Sequence, residues 1–251
     1  MKIGLALSGG GAKGIAHAGV IKALKERNIQ ISKISGTSAG ALIGVLYAAG
    51  LEDEVIYDFF KSSNLFSPSK FAFGQPGFIK SNVFMNHLNS FIPQDSFESL
   101  SIPLVVTATD LNNASSKVFD KGELYLPILA SAAFPGVFTP VNIGNNTYVD
   151  GGVLNNFPID LLDDCDFKIG SYVNKIEILD RKMKHSYDVA GRAYSINQYH
   201  RDAAKFHQAD LLIEPDNLHK YGLFSLRSLR EIFTIGYDTA CKVLDQSSLI
   251  K

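Results

Sequence analysis

An α/β fold, with a parallel sheet covered by helices on both faces, is what the N-terminal third of this chain predicts. Three observations point there. Residues 3–8 (IGLALS) are an unbroken apolar run, as expected of a strand buried on both faces. The run ends in a glycine-rich turn that passes into a segment of helical periodicity. A second short strand, a turn and an apolar helix then repeat the pattern, and such alternation implies right-handed crossovers.

The first helix, IAHAGVIKALKERNI, sets Ile15, Val20, Leu24 and small residues on one face. Lys22, Lys25, Glu26 and Arg27 take its exposed or C-terminal positions. ISKIS (31–35) is a short strand that stops at GTSAG, and a very apolar helix runs through 41–49. Between 57 and 97 the character changes, because ten of those 41 residues are Phe or Tyr, interleaved with Ser, Pro, Gly and Asn. That segment reads as a helical insertion with an aromatic core or as a variable cap lining a pocket for apolar substrate. IPLVVTATDL (102–111) is another buried strand, and SKVFD (116–120) is its companion. YLPILASAAF is helical and stops at Pro135, while NTYVDGG (146–152) is a strand entering a glycine turn. FKIGSYVN (167–174) and DLLIEP (210–215) read as strands, and 188–206 and 225–245 as long helices. With no repeat, low-complexity segment or linker, residues 1–251 are expected to form one domain.

Composition narrows the function. At 46% hydrophobic and 20% charged, a 251-residue chain buries a sizeable core and is not disordered. A net charge of −1 without a long basic block offers no nucleic-acid surface. Cys165 and Cys241 are read as thiols of a cytoplasmic protein rather than as a disulfide. The start, MKIGLALSGGG, is too short an apolar run for a signal peptide. The most apolar helical stretch, 41–51, is about half the length a bilayer requires. A soluble protein is expected, with any lipid contact peripheral. Lys175, Arg181, Lys182 and Lys184 are diluted by Glu177 and Asp180 and read as a solvated loop. No set of His, Cys or carboxylates has ligand spacing, so neither metal nor cofactor is expected.

Gly9, Gly11 and Gly14 spell G-x-G-x-x-G between the first strand and first helix, the pattern of a pyrophosphate-binding turn. Its confirming context is missing. The second strand ends in Ser35-Gly36, where a dinucleotide site needs an acid for the ribose, and the nearest acid is Glu26 inside the preceding helix. A Walker A loop fails as well, because Gly14 follows Lys13 where Ser or Thr is required. A nucleotide-binding regulator is therefore the minor reading.

GTSAG (36–40) supplies a better one. G-x-S-x-G at a strand-to-helix junction is a nucleophile elbow, in which Gly36 and Gly40 give Ser38 the room for a sharp turn. The helix beyond it turns its amides and its positive dipole end toward developing oxyanion charge. An acyl-transfer serine also needs oxyanion donors and a base. Gly9, Gly10 and Gly11 can bring backbone N–H groups close to a reacting carbonyl. Lys13 would add positive charge, although a lysine at a helix start usually faces solvent.

None of the six histidines (17, 87, 185, 200, 207 and 219) sits at a strand end with turn chemistry around it, and each reads as a surface or packing residue. Asp150 does end a strand, and Gly151 and Gly152 come directly after it. It is either a plain Asp-Gly turn residue or a base at the carboxyl edge of the sheet, with burial raising it from its free value of about 3.9.

GGGAKG (9–14), GTSAG (36–40), ASAAFP (130–135) and DGG (150–152), in this order, resemble the four blocks of the patatin-like phospholipases, and the surrounding text is similar to small bacterial members. The resemblance covers most of residues 3–162. It implies a three-layer α/β/α sandwich with a mainly parallel central sheet. It further implies hydrolysis of lipid acyl esters by a Ser–Asp dyad without histidine: Ser38 as nucleophile, Asp150 as base, Gly9–Gly11 as oxyanion hole. The substrate would be phospholipid, lysophospholipid or neutral lipid, and the same serine could instead serve an acyltransferase. Lys13 stands where many members carry Arg. Residues 163–251 match no motif.

Overall fold

The computed structural model describes residues 1–62, 82–178, 182–183, 185–222 and 225–247. Strand β1 (Ile3–Leu7) is buried along its whole length. Its side chains sort by size. Ile3, Leu5 and Leu7 enter the large core on one face of the sheet. Gly4 and Ala6 face the other way, where a Cβ on Gly4 would stand 2.9 Å from Cys165 Sγ and Ala6 meets Phe157 and Tyr172. Period-two alternation therefore persists as large against small inside a run that looks uniformly apolar.

Helix α1 (Ile15–Glu26) comes after a 3-10 turn at Gly11–Gly14. Strand β2 (Lys33–Thr37) starts and ends two residues later than the apolar pattern of ISKIS suggests, because Gly36 and Thr37 pair with the next strand. Helix α2 (Ala39–Ala48) begins directly after Ser38. Helices α3 (Asp53–Ser62) and α4 (Asn82–Phe91) are the ends of the aromatic segment, and they send Phe59, Phe60 and Leu88 into the main core. The middle of the expected cap at 57–97, residues 63–81, lies outside the described residues.

The chain continues through β3 (Leu104–Asp110), β4 (Ser115–Phe119) and α5 (Tyr125–Ser131). Then come β5 (Val141–Ile143), which the sequence pattern misses, and β6 (Asn146–Asp150). β7 (Phe167–Ser171), α6 (Ser186–Ala203), β8 (Leu211–Ile213) and α7 (Leu229–Asp245) complete it. Pairing runs β5–β6–β3–β2–β1–β7–β8, with β4 also on β3. The pairs β1–β2, β1–β7, β2–β3 and β7–β8 are parallel, whereas β3–β4, β3–β6 and β5–β6 are antiparallel. The sheet is mixed and mostly parallel, flanked by helices.

Two features of this topology place the site. The chain leaves β1 toward β2 and β3 on one side and returns as β7 on the other, which makes the carboxyl end of β1 a topological switch point, where open α/β sheets form their crevice. The second feature is a head-to-head meeting of strands. β4 occupies one edge of β3 along Val106–Asp110. The other edge is shared, with β2 along Leu104–Thr107 and β6 along Ala108–Asp110. Thr37 pairs with Thr107 and Asp150 pairs with Ala108, so the two strands approach from opposite directions and their carboxyl ends meet.

Candidate active site

The residues at that meeting point are Ser38 and Asp150. Ser38 adopts φ 54° and ψ −122°, a region that non-glycine residues rarely occupy and that surrounding structure must enforce. Two contacts enforce it here. The Ser38 N–H donates to Ser131 Oγ at 2.8 Å, and Leu42 N–H donates to the Ser38 carbonyl at 3.1 Å as α2 begins. Gly40 lets α2 sit this close to β1, since a Cβ there would stand 2.3 Å from the Leu7 carbonyl oxygen. Gly36 and Gly14 have the same constraint, against the Ala41 backbone and the Ala39 side chain respectively.

Asp150 is 3% exposed, and the neighbouring Ser38 hydroxyl favours its charged form. Gly152 N–H donates to Asp150 Oδ1, at 2.7 Å. Burial pushes the Asp150 carboxyl up to about 6, outweighing these two groups that favour its charged form. Its backbone N–H donates to the Ala133 carbonyl at 3.0 Å. The ASAAFP block is thus the brace between the two residues, Ser131 holding Ser38 and Ala133 holding Asp150. Gly151 lies against β3, where a Cβ would meet Thr107 O at 2.4 Å. Thr37 Oγ1 donates to the Asn155 carbonyl at 2.8 Å, and Thr109 Oγ1 to the Asp150 carbonyl at 3.0 Å, so the loop beyond Asp150 is tied back to the sheet.

The glycine loop completes the neighbourhood. An ideal Cβ on Gly9 would lie 3.2 Å from Ser38 Cβ and 2.4 Å from Asn156 Oδ1. The Gly9 N–H donates to the Asn156 carbonyl at 3.1 Å. The Gly10 and Gly11 N–H groups have no protein acceptor among the described residues. Gly11 has φ 58°, a conformation that favours glycine. Lys13 departs from the expectation of a solvated helix-start lysine: it is half-buried, has no carboxylate partner among the described residues, and burial lowers its ammonium to about 8.

No histidine hydrogen-bonds to Ser38 or Asp150 among the described residues. His17, fully buried in α1, supports the loop instead. Its Nε2 lies 2.8 Å from the Ser8 carbonyl and must carry the proton, so Nδ1, 2.7 Å from Ser171 Oγ, accepts from that hydroxyl. Burial drives its pKa down to about 4, which keeps the ring neutral. His219 pairs with Glu177, and His87 Nε2 lies 3.0 Å from the Phe59 carbonyl.

Several residues here escape motif reading. Ser131 stands out in the sequence only as part of its block. Asn156 lies in an Asn-Asn-Phe-Pro turn with no chemistry of its own. Arg201 and Asp202 sit in the segment that matches no motif, and their only sequence signal is a charged pair in a helix beside Tyr199 and Phe206.

Comparison with known proteins shows the family. The family model described as patatin-like phospholipase matches residues 5–163. An uncharacterized NTE family protein of Mycobacterium tuberculosis is 37% identical over 164 residues, covering 63% of this chain and 44% of that protein. The lysophospholipase NTE1 of Mycosarcoma maydis is 31% identical over 170 residues, covering 64% of this chain and 9% of that protein. The matches therefore span less than half the length of these relatives. VipD from Legionella pneumophila superposes with a TM-score of 0.64 at 15% identity, over 97% of this chain and 66% of that one. The type III effector ExoU gives 0.51 at 15% identity, over 98% and 53%. These last two likenesses speak to the fold. The ordered glycine loop, elbow serine, Ser-Ala-Ala brace and Asp-Gly-Gly turn all fall inside the matched region, and the chain belongs to the patatin-like phospholipase family.

Proposed function

We propose that the chain hydrolyses acyl esters of lipids through a Ser38–Asp150 dyad and an acyl-enzyme. The observation that carries this reading is Ser38, held in a strained elbow conformation, beside the buried Asp150 carboxylate, which burial pushes up to about 6, high enough for a base near neutral pH. Asp150 takes the proton as Ser38 Oγ attacks the ester carbonyl. The oxyanion of the tetrahedral intermediate is met by the free Gly10 and Gly11 amides and by the positive end of α2. Gly9, its amide committed to Asn156, acts by leaving room beside Ser38. The intermediate collapses, the C–O bond to the alcohol breaks, and protonated Asp150 returns its proton to the leaving oxygen. Asp150 then deprotonates a water, which attacks the acyl-enzyme; as the second tetrahedral intermediate collapses, the bond to Ser38 Oγ breaks, Asp150 returns its proton to that oxygen, and the fatty acid leaves. Lysophospholipid is the first natural substrate to try, because the fungal relative is named for that activity.

With p-nitrophenyl acyl esters, Ser38→Ala should abolish turnover and Asp150→Asn should lower kcat by about 10²–10⁴. Mass spectrometry of lysophospholipid digests should show free fatty acid with wild type only. Wild-type turnover in Asp150→Asn alongside a dead histidine variant would overturn the dyad.

A further inference from the structure

Helix α6 lies outside the region the family model matches, yet one turn of it grips both loops of the site. Arg201 Nη2 donates to the Gly152 carbonyl at 3.1 Å, and Arg201 Nη1 donates to the Val153 carbonyl at 2.5 Å. Gln198 Nε2 reaches the same Gly152 carbonyl at 3.3 Å. The neighbouring Asp202, 2% exposed, reaches the other loop. Its Oδ2 accepts from Asn156 Nδ2 at 2.9 Å and from Tyr172 OH at 3.0 Å.

Asn156 is wedged between the glycine loop and the acid's loop. Its carbonyl receives the Gly9 N–H, and its Oδ1 marks the space that a Cβ on Gly9 or Gly152 would fill, at 2.4 Å and 3.0 Å. Asp202 fixes the amide of that wedge. Tyr172 fixes Asp202 in turn, because its ring is fully buried edge-on against Phe157 and Phe206, with centroids 5.5 Å and 5.0 Å away. The chain of contacts runs from an immobile aromatic cluster through Asp202 and Asn156 to Gly9, which abuts Ser38.

We propose that Asp202 is a positioning residue for the reaction at Ser38: through Asn156 it sets where the glycine loop stands relative to the nucleophile. The inference rests on the Ser38–Asp150 hydrolase reading. It adds a requirement from the C-terminal segment, carried by a side chain that touches neither substrate nor dyad. Without Asp202 the Asn156 amide can turn and Gly9–Gly11 can shift, and a displacement of about 1 Å can cost on the order of 10²-fold in rate.

The test uses the full chain, p-nitrophenyl butyrate, and exhaustive fluorophosphonate titration of Ser38 to count competent sites. Asp202→Ala should lower kcat per titrated site about 10- to 100-fold while KM stays within about threefold. Asp202→Asn should recover most of the rate, because its Oδ1 can accept the same two hydrogen bonds that Oδ2 accepts now. If Asp202→Ala lowers the melting temperature but leaves kcat per site at the wild-type value, the role is only structural and the proposal is overturned. Should Asp202→Ala fail to fold, Asn156→Ala carries the test with the same kcat-specific loss, and an unchanged kcat there overturns it equally. A wild type no more active than Ser38→Ala overturns the hydrolase reading itself, whereas Ser38-dependent wild-type activity with unaffected Asp202 and Asn156 variants overturns the positioning role alone.

Discussion

Asp150 shows what a buried carboxylate does to its host. Its carboxyl is raised from 3.8 in the free residue to about 6 in the fold, chiefly by burial. Below pH 4 the group is neutral both folded and unfolded and leaves stability unchanged. Between about 4 and 6 only the unfolded chain ionises it, and above 6 the folded protein carries a buried charge. Its contribution is therefore unfavourable above pH 6, by about 3 kcal/mol from a shift of roughly two units. Asp150→Asn keeps an oxygen for the Gly152 N–H and supplies an N–H toward Ser38. It should lose the rate given above yet melt at a higher temperature than wild type at pH 7.5, with the difference vanishing near pH 4. The same shift sets the activity profile: kcat/KM should rise with a single-proton slope through about pH 6 and level off above it. An Asp150→Asn variant that melts below wild type at pH 7.5 would contradict the account. Ser38 and Asp150 are legible in the sequence because each lies next to glycines at a strand end. Ser131, Asn156 and Asp202 are not, because a hydrogen bond to a backbone amide or a second amide leaves no spacing to read.

Among the elements, α1 and α7 show how glycine sets helix approach. A Cβ on Gly19 of α1 would stand 2.2 Å from the Phe233 carbonyl oxygen, and one on Gly236 of α7 would stand 2.2 Å from that of Ala16. Each helix places its glycine where the other's backbone comes through. Gly236→Ala must then push the helices apart along a face that buries Leu229, Ile232, Phe233, Ala240 and Leu244. Overpacking of this kind costs about 1–3 kcal/mol, and at this chain length each kcal/mol is worth about 2–4 °C in Tm. Gly191 in α6 has nothing within 4 Å of its Cβ position, so Gly191→Ala should be neutral or stabilising through helix propensity alone. Calorimetry on the two variants makes the comparison, and equal melting temperatures would count against the packing account. The contact also explains a difference from the sequence reading. α1 looks amphipathic in isolation, with one apolar face, but nine of its twelve residues are buried, because α7 packs closely against it and covers a further side. Periodicity registers the face against the nearest strands and is blind to a partner more than 200 residues away. Short β5 escapes the sequence pattern for a related reason: three residues gain strand geometry only by pairing with β6.

At the scale of the molecule, the part of the chain that carries the family's motifs is not the part that can hold them in place. The family match stops at residue 163, after Ser38, Asp150 and the glycine loop. The C-terminal segment beyond it is structurally central. β7 lies beside β1 from Ile3–Phe167 to Leu7–Ser171, and the Ser8 N–H continues that ladder to the Ser171 carbonyl at 3.1 Å. The Val173 N–H donates to Ser8 Oγ at 3.1 Å, and His17 depends on Ser171 for its second hydrogen bond. Removing residues 164–251 would turn β1, an inner strand of the sheet, into a bare edge. It would also uncover the α7-facing side of α1 and release Arg201 and Asp202 from the two site loops. A long apolar strand with an unpaired edge recruits other chains rather than water. A fragment of residues 1–163 should therefore aggregate on expression, or, if kept in solution, show no cooperative thermal transition and no Ser38-dependent ester hydrolysis. The measurement is circular dichroism through a thermal ramp, paired with p-nitrophenyl ester turnover, beside the full chain at equal concentration. A fragment that melts cooperatively and turns over within about tenfold of the full chain would show that β7 and α6 are dispensable, which the hydrogen bonds crossing from residues beyond 163 to β1, Ser8 and Gly152 argue against.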